Sequence, residues 1–323
     1  MKYDEIFSKA MTILKEQGKY ETFMREREAG AESGYGHRHN LEFFDTLSFE
    51  MRVIGTEVSS TETEVFGHRL CTPVMSGAMS GLQQYTSDPL VKIARGMRQA
   101  GSMMWVGICQ PEELGAVIDT GVPTVDIVKP YKDDKEVERR IVEAEKRGAV
   151  AVGMDVDFCL GGKRGDSETM VGVVAPKSSQ QLKDFKSITK LPFVLKGILS
   201  VGDAEEAERI GADAICVSNH AGVVLDYAAH PLQLLPEVRK AVSKEMTVLA
   251  DSGFRRGTDV LKALALGADG VLMGYCVAVG LIANGEEGVR DIVDAVTSEL
   301  RRAMTLTGCR DLSHVSEQIL RRV

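Results

Sequence analysis

The sequence predicts an α/β protein of the (β/α)8, or TIM-barrel, class over residues 67–323, with residues 1–66 forming a helical and hairpin cap. Three observations point there. Eight short apolar runs recur along the chain, each is followed by a segment of helical periodicity, and glycine-alanine pairs stand before several of the runs. Near-continuous, β-rich apolar runs are how parallel strands read when both of their faces are buried. Eight strand–helix pairs in 323 residues favour a closed barrel over an open sheet, and a single domain, 1–323, over two.

The cap comes first. Ile6, Ala10, Met11, Ile13 and Leu14 lie at helical spacing between Tyr3 and Gln17, and Gly18 ends the helix. A charged, glycine-punctuated stretch follows, with the character of a solvated face. Residues 56–66, TEVSSTETEVF, alternate as a small hairpin or edge strand does. The eight predicted strands are 72–77, 102–107, 124–130, 149–157, 192–198, 214–220, 247–253 and 269–275. Helical patterns occupy 89–100, 111–118, 135–147, 179–185, 203–210, 231–242, 258–266 and 286–306. The pairs Gly148-Ala149, Gly211-Ala212 and Gly267-Ala268 supply left-handed helix stops. The longest connection, Phe158 to Leu191, begins with glycines and charges and no period. It reads as a mobile lid at the barrel rim, or as a plain surface loop.

Composition narrows the function. The chain is 44% hydrophobic and 27% charged, with a net charge of -8 and a pI near 5.4, which argues against nucleic-acid binding. No apolar run is long enough to span a bilayer, and the start MKYDEIFSK is not a signal peptide. The six cysteines are scattered singly, which favours reduced thiols in a cytoplasmic protein over disulfides or a metal site. A small-molecule substrate is the expected partner.

In a barrel, polar groups at the C-terminal ends of the strands share one mouth. The fifth predicted strand carries Lys196, costly to bury unless it meets an anion; a Schiff-base lysine is the rival reading. The sixth ends in Ser218-Asn219-His220, and the fourth in Asp155 and Asp157. A carboxylate that orients the imidazole makes a proton-abstracting pair, against the bland alternative of a part-buried structural histidine. The seventh ends in Asp251-Ser252-Gly253-Phe254-Arg255-Arg256-Gly257 and the eighth in Gly274-Tyr275. Glycine-freed N–H groups, arginine and helix N-termini suit a phosphate, unless the glycines serve turns alone and the arginines are surface charges. Redox or proton chemistry on a phosphorylated cofactor is the expectation.

The segments LKGILSVGDAEEAERIGADAICVSNHAGVVLDY and LADSGFRRGTDVLKALALGADGVLMGY closely resemble the FMN-dependent α-hydroxy-acid oxidase and dehydrogenase family, and the likeness runs from about Leu191 to Leu312. It implies FMN as cofactor and His220 as the base that takes a proton, with Asp157 supporting the imidazolium. Lys196 would lie near the flavin ring. Asp251, Ser252, Gly253, Arg255, Gly274 and Tyr275 would hold the ribityl chain and phosphate. Gly77, Ala78 and Met79, with Gly107 and Asp155, would line the flavin. Arg164, in the lid, matches an arginine close to substrate.

The sequence also departs from that family's pattern. Val223 stands where the family has a carboxylate-binding arginine, Lys129 and Glu26 where it has tyrosines, and Tyr275 where an arginine is frequent. Lys129 or Arg164 would then meet the substrate. The resemblance implies oxidation of a 2-hydroxy acid or related alcohol by a homo-oligomer, a tetramer or octamer. SGAMSGL and WVGICQ resemble, more briefly, the FMN barrel of type 2 isopentenyl diphosphate isomerase, which implies a non-redox alternative. A flavin-binding protein with little turnover is the third reading.

Overall fold

The computed structural model describes residues 1–164 and 167–323. Eight strands form one all-parallel sheet: β1 (Val74–Ser76), β2 (Met104–Val106), β3 (Thr124–Val128), β4 (Ala151–Asp155), β5 (Phe193–Ile198), β6 (Ala214–Val217), β7 (Thr247–Ala250) and β8 (Gly270–Met273). Their order around the sheet is β1-β8-β7-β6-β5-β4-β3-β2. Serines knit the β1–β2 seam that closes the barrel. Ser76 Oγ accepts from the Trp105 amide at 2.8 Å, Ser102 Oγ donates to the Val74 carbonyl at 2.5 Å, and Met79 pairs with Val106. These add to the backbone bonds across the seam, from the Ser76 amide to the Met103 carbonyl and from the Gly107 amide to the Met79 carbonyl, both at 3.3 Å.

Nearly every strand residue is buried, which is why the strands read as unbroken apolar runs. The inward-facing set, including Met75, Trp105, Ile127, Val194 and Leu249, fills the barrel interior. Val65 and Leu70 join it from an antiparallel hairpin, Thr63–Val65 with His68–Leu70. The hairpin predicted between residues 56 and 66 thus lies slightly later and plugs the barrel at the start of β1.

Eight helical segments surround the sheet: α4 (Pro89–Gln99), α5 (Pro111–Ile118), α6 (Asp134–Arg147), α7 (Ser179–Ser187), α8 (Val201–Arg209), α9 (Pro231–Ala241), α10 (Gly257–Ala265) and α11 (Tyr275–Leu306). The last helix begins eleven residues earlier than the sequence pattern predicts, at Tyr275 instead of Glu286, and is broken at Asn284 and Gly285. Its first nine residues escaped the pattern because Cys276 through Ala283 are all buried, so no polar face marks the helical period. Among the described residues, no helix is long and apolar enough to cross a membrane.

The cap comprises α1 (Tyr3–Glu16), α2 (Tyr20–Glu28) and α3 (Tyr35–Glu42). Helix α1 packs its buried face, Ile6, Ala10 and Leu14, against α11. Helix α3 lies on the loops after β6 and β7, so the charged stretch is solvated only on its outer side. A Cβ on Gly36 would stand 2.8 Å from Gly222 Cα, and one on Gly253 2.6 Å from the Asn40 carbonyl. Asn40 and Asn219 exchange amide hydrogen bonds at 2.7 and 3.0 Å. Asp226 accepts from the Ser33 amide and hydroxyl at 2.7 Å and from the Gly36 amide at 3.2 Å.

One buried carboxylate faces the helix layer. Asp126 on β3 alternates with the inward-facing Val125 and Ile127, so it points outward. Burial pushes its carboxyl up to about 7, against the lowering effect of Arg140. Between the unfolded value near 4 and 7 the folded chain therefore binds more protons than the unfolded chain. Asp126 thus contributes stability that is lost as pH rises towards 7, by at most about 1.4 kcal/mol per pH unit. Asp126→Asn is expected to flatten the pH dependence of urea unfolding between pH 5 and 8; an unaltered slope would show that another group sets it.

Candidate active site

The C-terminal ends of β4, β5, β6 and β7 converge on one cluster. β5 carries a register irregularity between Lys196 and Ile198. There Gly197 adopts φ +96°, and a Cβ on it would fall 2.2 Å from Asp157 Cγ. The irregularity thus opens the slot in which Asp157 sits, at the end of a short turn (Val156–Phe158) after β4. His220 and Ala221 hold left-handed backbone conformations, φ +53° and +55°, which cost non-glycine residues about 1–3 kcal/mol each. Local hydrogen bonds fix them. The His220 amide donates to Ser218 Oγ at 3.0 Å and the Ala221 amide to Ser252 Oγ at 3.1 Å, while Ser252 Oγ donates to Asp251 Oδ1 at 2.8 Å.

So placed, His220 Nδ1 lies 3.1 Å from both oxygens of Asp157 and 3.9 Å from Asp155 Oδ1. A carboxylate partner assigns the proton to Nδ1 and leaves Nε2 as an acceptor. The Phe158 ring lies 5.0 Å from the imidazole on one side, and Lys129 Nζ stands 4.0 Å over the same ring.

Asp155 is the hub. Lys129 Nζ donates to its Oδ2 at 2.5 Å, and Lys196 Nζ stands 3.0 Å from Oδ1 and 3.2 Å from Asp251 Oδ2. Among the described residues none gives Oδ1 an aligned hydrogen bond; the Lys196 contact is an ion pair only. Burial would raise the Asp155 carboxyl, but Lys129, Lys196 and His220 together outweigh it and hold it below the usual carboxylate range. Burial alone would lower Lys196, and Asp155 followed by Asp251 and Asp157 instead keeps its ammonium protonated. Two ammonium groups thus face three carboxylates, so with a neutral His220 the cluster is one charge short of neutrality. Asp155, Asp157 and His220 are close enough to share a cation, but the two lysines already supply the counter-charge.

The phosphate-type end lies at β7 and β8. Arg255, part-buried, is paired with Asp259 at 3.3 Å. Arg256 turns away, to Glu299 at 2.5 Å, Asp4 at 3.3 Å and the face of Tyr3 at 4.1 Å. Gly274 has open room beside it: a Cβ there would meet only the Met79 side chain, at 3.7 Å. Gly77 and Gly107 serve close backbone approach, since a Cβ on either would come within 2.9 Å of Gly274 Cα or the Ala78 carbonyl. Ala78 and Met79 continue β1 into the mouth, and Tyr275 opens α11.

The connection after β4 contributes a second short antiparallel pair, Gly162–Arg164 with Ser167–Thr169. The Lys163 amide donates to the Val223 carbonyl at 2.8 Å, which ties this connection to the loop after β6, and the Val223 side chain is buried. Arg164 is exposed and acts on the phenol of Tyr85. Tyr85 donates to Glu26 at 2.9 Å, and Gln84 Nε2 to the same carboxylate at 3.3 Å. Burial, then Glu26, raise the Tyr85 phenol, so it stays a donor. Tyr85, Gln84 and Phe158 were not anticipated from the sequence, where nothing in their spacing links them to Glu26 or Lys129.

Fold and site together define a flavin-type barrel oxidoreductase. The donor set fits FMN: a fixed ammonium, Lys196, for the ring, and Arg255 with the α11 N-terminus for the phosphate. Residues 21–180 and 167–322 match the model of the FMN-dependent dehydrogenase family. The chain belongs to that family, and FMN is its cofactor. It is 30% identical to an L-lactate oxidase of Lacticaseibacillus rhamnosus, over 89% of this chain and 86% of the relative. It is 30% identical to 2-hydroxyacid oxidase 1 of Homo sapiens, over 80% and 81%. Glycolate oxidase 3 of Arabidopsis thaliana is 32% identical over 89% and 88%. A solved mandelate oxidase with (S)-2-phenylpropionate superposes with a TM-score of 0.89 at 28% identity, covering 100% of this chain and 98% of that one. The same enzyme with benzoyl-formic acid gives 0.85 at 29% identity, with 93% of each chain covered.

Two consequences are testable. Gly197→Ala is expected to displace Asp157 and lower kcat by about 100-fold, the scale of an ångström-sized misplacement, with FMN content retained; unchanged kcat would show that the slot is not needed. Lys129→Met leaves a buried carboxylate oxygen unpaired, and chemical denaturation should show a loss of about 3–5 kcal/mol.

Proposed function

We propose that the protein oxidises a 2-hydroxy acid, or a closely related alcohol, to the corresponding carbonyl compound, with His220 as the base. One observation carries this reading: His220 Nδ1 lies 3.1 Å from both Asp157 oxygens, in a barrel mouth that also holds the Lys196 ammonium. Nε2 is then the basic atom. It accepts the substrate hydroxyl proton, and the imidazolium so formed is stabilised by Asp157 and by the excess negative charge of the cluster. Bound FMN supplies the two-electron acceptor for the hydrogen leaving the carbinol carbon. Lys196, held protonated by Asp155 and Asp251, keeps a fixed positive charge beside the ring.

The substrate carboxylate needs a cation that the inner cluster does not spare. Lys129 is committed to Asp155, and Val223 offers none. Arg164, exposed on the lid, is the cation we assign to it. Glu26, held by Tyr85, disfavours a second anionic group on the substrate. Residues 1–323 act as one unit in this reading, since the cap packs on the mouth. Unpaired cysteines support a cytoplasmic setting, and the exposed Met51, Val53, Ile54 and Val58 support a homo-oligomer, a tetramer or octamer.

Anaerobic mixing with a panel of L-2-hydroxy acids should bleach the flavin absorbance with at least one of them. If none does so, while the dithionite-reduced protein converts isopentenyl diphosphate, the isomerase reading replaces this one. His220→Gln should lower the rate of bleaching by about 100- to 10,000-fold, the contribution of a general base. Arg164→Met should raise KM by about 10- to 100-fold, as expected for loss of a charge-assisted hydrogen bond, with a smaller effect on kcat.

A further inference from the structure

Arg27 stands at the end of α2 and leans over the first residue of α11. Its guanidinium lies 4.0 Å from the centre of the Tyr275 ring, and Nη1 donates to the Tyr275 hydroxyl at 3.0 Å. The ring is wedged between Phe7 and Phe23, so the perch is rigid. Among the described residues no carboxylate forms an ion pair with Arg27, although α2 itself carries Glu21, Glu26 and Glu28. Glu26 is taken by Tyr85 and Gln84. Burial, followed by Arg27 and Arg38, lowers His37 to about 4, so that ring adds no charge of its own, and Glu28 acts on the Tyr275 phenol without pairing with Arg27. A part-buried guanidinium that no carboxylate among the described residues pairs with can take an anion from outside the chain.

Tyr275 follows Gly274, where the backbone has open room, and it opens a helix whose first amides have no intrahelical acceptor. The FMN phosphate is a dianion, and the barrel offers it little positive charge. Arg255 is part-neutralised by Asp259, and Arg256 is spent on Glu299 and Asp4. We infer that Arg27 is a ligand of the FMN phosphate, so that the N-terminal cap, and not the barrel alone, completes the cofactor site. Tyr275 acts as the positioning residue that holds the guanidinium over the helix end.

Flavin release tests this directly, because riboflavin lacks the phosphate. Holoprotein loaded with FMN or with riboflavin is diluted at fixed ionic strength, and the equilibrium is followed by recovery of flavin fluorescence. Arg27→Gln should weaken FMN binding by about 10- to 100-fold, the scale of a charge-assisted hydrogen bond, and riboflavin binding by less than about twofold. Arg27→Lys should recover part of the loss, and Arg25→Gln, an exposed neighbour on the same helix, should leave both affinities unchanged. Equal weakening of FMN and riboflavin would show that Arg27 merely holds the cap, and the inference would fall. It would fall too if FMN binding did not change, or if Arg25→Gln matched Arg27→Gln.

Discussion

Everything in the mouth depends on one carboxylate. Asp155 is buried at the end of β4, with Lys129 of the β3 end on one oxygen and Lys196 of β5 on the other. Lys196 passes the link to Asp251 after β7. A buried ion costs several kcal/mol in desolvation, so each member of this chain is tolerated only while the others are present. Charge thereby ties four strand ends together, in addition to the backbone pairing that sets the register of β3, β4 and β5. The same arrangement leaves Lys196 protonated and the cluster slightly negative, the condition a base beside it needs when it takes on a proton.

Around that hub the chain accepts strain to aim a histidine. His220 and Ala221 sit in left-handed conformations that serines 218 and 252 stabilise through their hydroxyls. The loop they belong to is pressed from above by α3, where Gly36 and Gly222 meet backbone to backbone. The cap is therefore more than a lid on a finished barrel. It clamps the strained loop, through Asp226 and the Asn40–Asn219 pair, and brings Glu26 and Arg27 to the rim.

The barrel was legible because parallel strands buried on both faces leave unbroken apolar runs, and the helices between them leave a clear period. Lys196, His220, Asp157 and Arg255 were legible as polar residues closing such runs, since position on a strand end already says that a side chain faces the mouth. The start of α11 was not, because a helix buried all round carries no polar face to mark it. The resemblance picks out Arg255 over Arg256, but local pattern does not: neighbouring residues point different ways, and Asp259 and Glu299 hold the two guanidinium groups apart.

The sequence by itself determined the fold class, through local pattern, and the FMN cofactor, through its likeness to a known family, while strand-end position marked Lys196, His220 and Asp157 as facing the mouth. Tertiary structure decided which charges are spent and which are spare. Lys129 reads as a substrate cation until Asp155, distant in the chain, is seen to claim it. Arg27 reads as one more charge on a solvated helix until Tyr275, distant in the chain, is found beneath it. The reason is physical: whether an ion is free depends on every opposite charge within a few ångströms, and that neighbourhood exists only after the chain has folded.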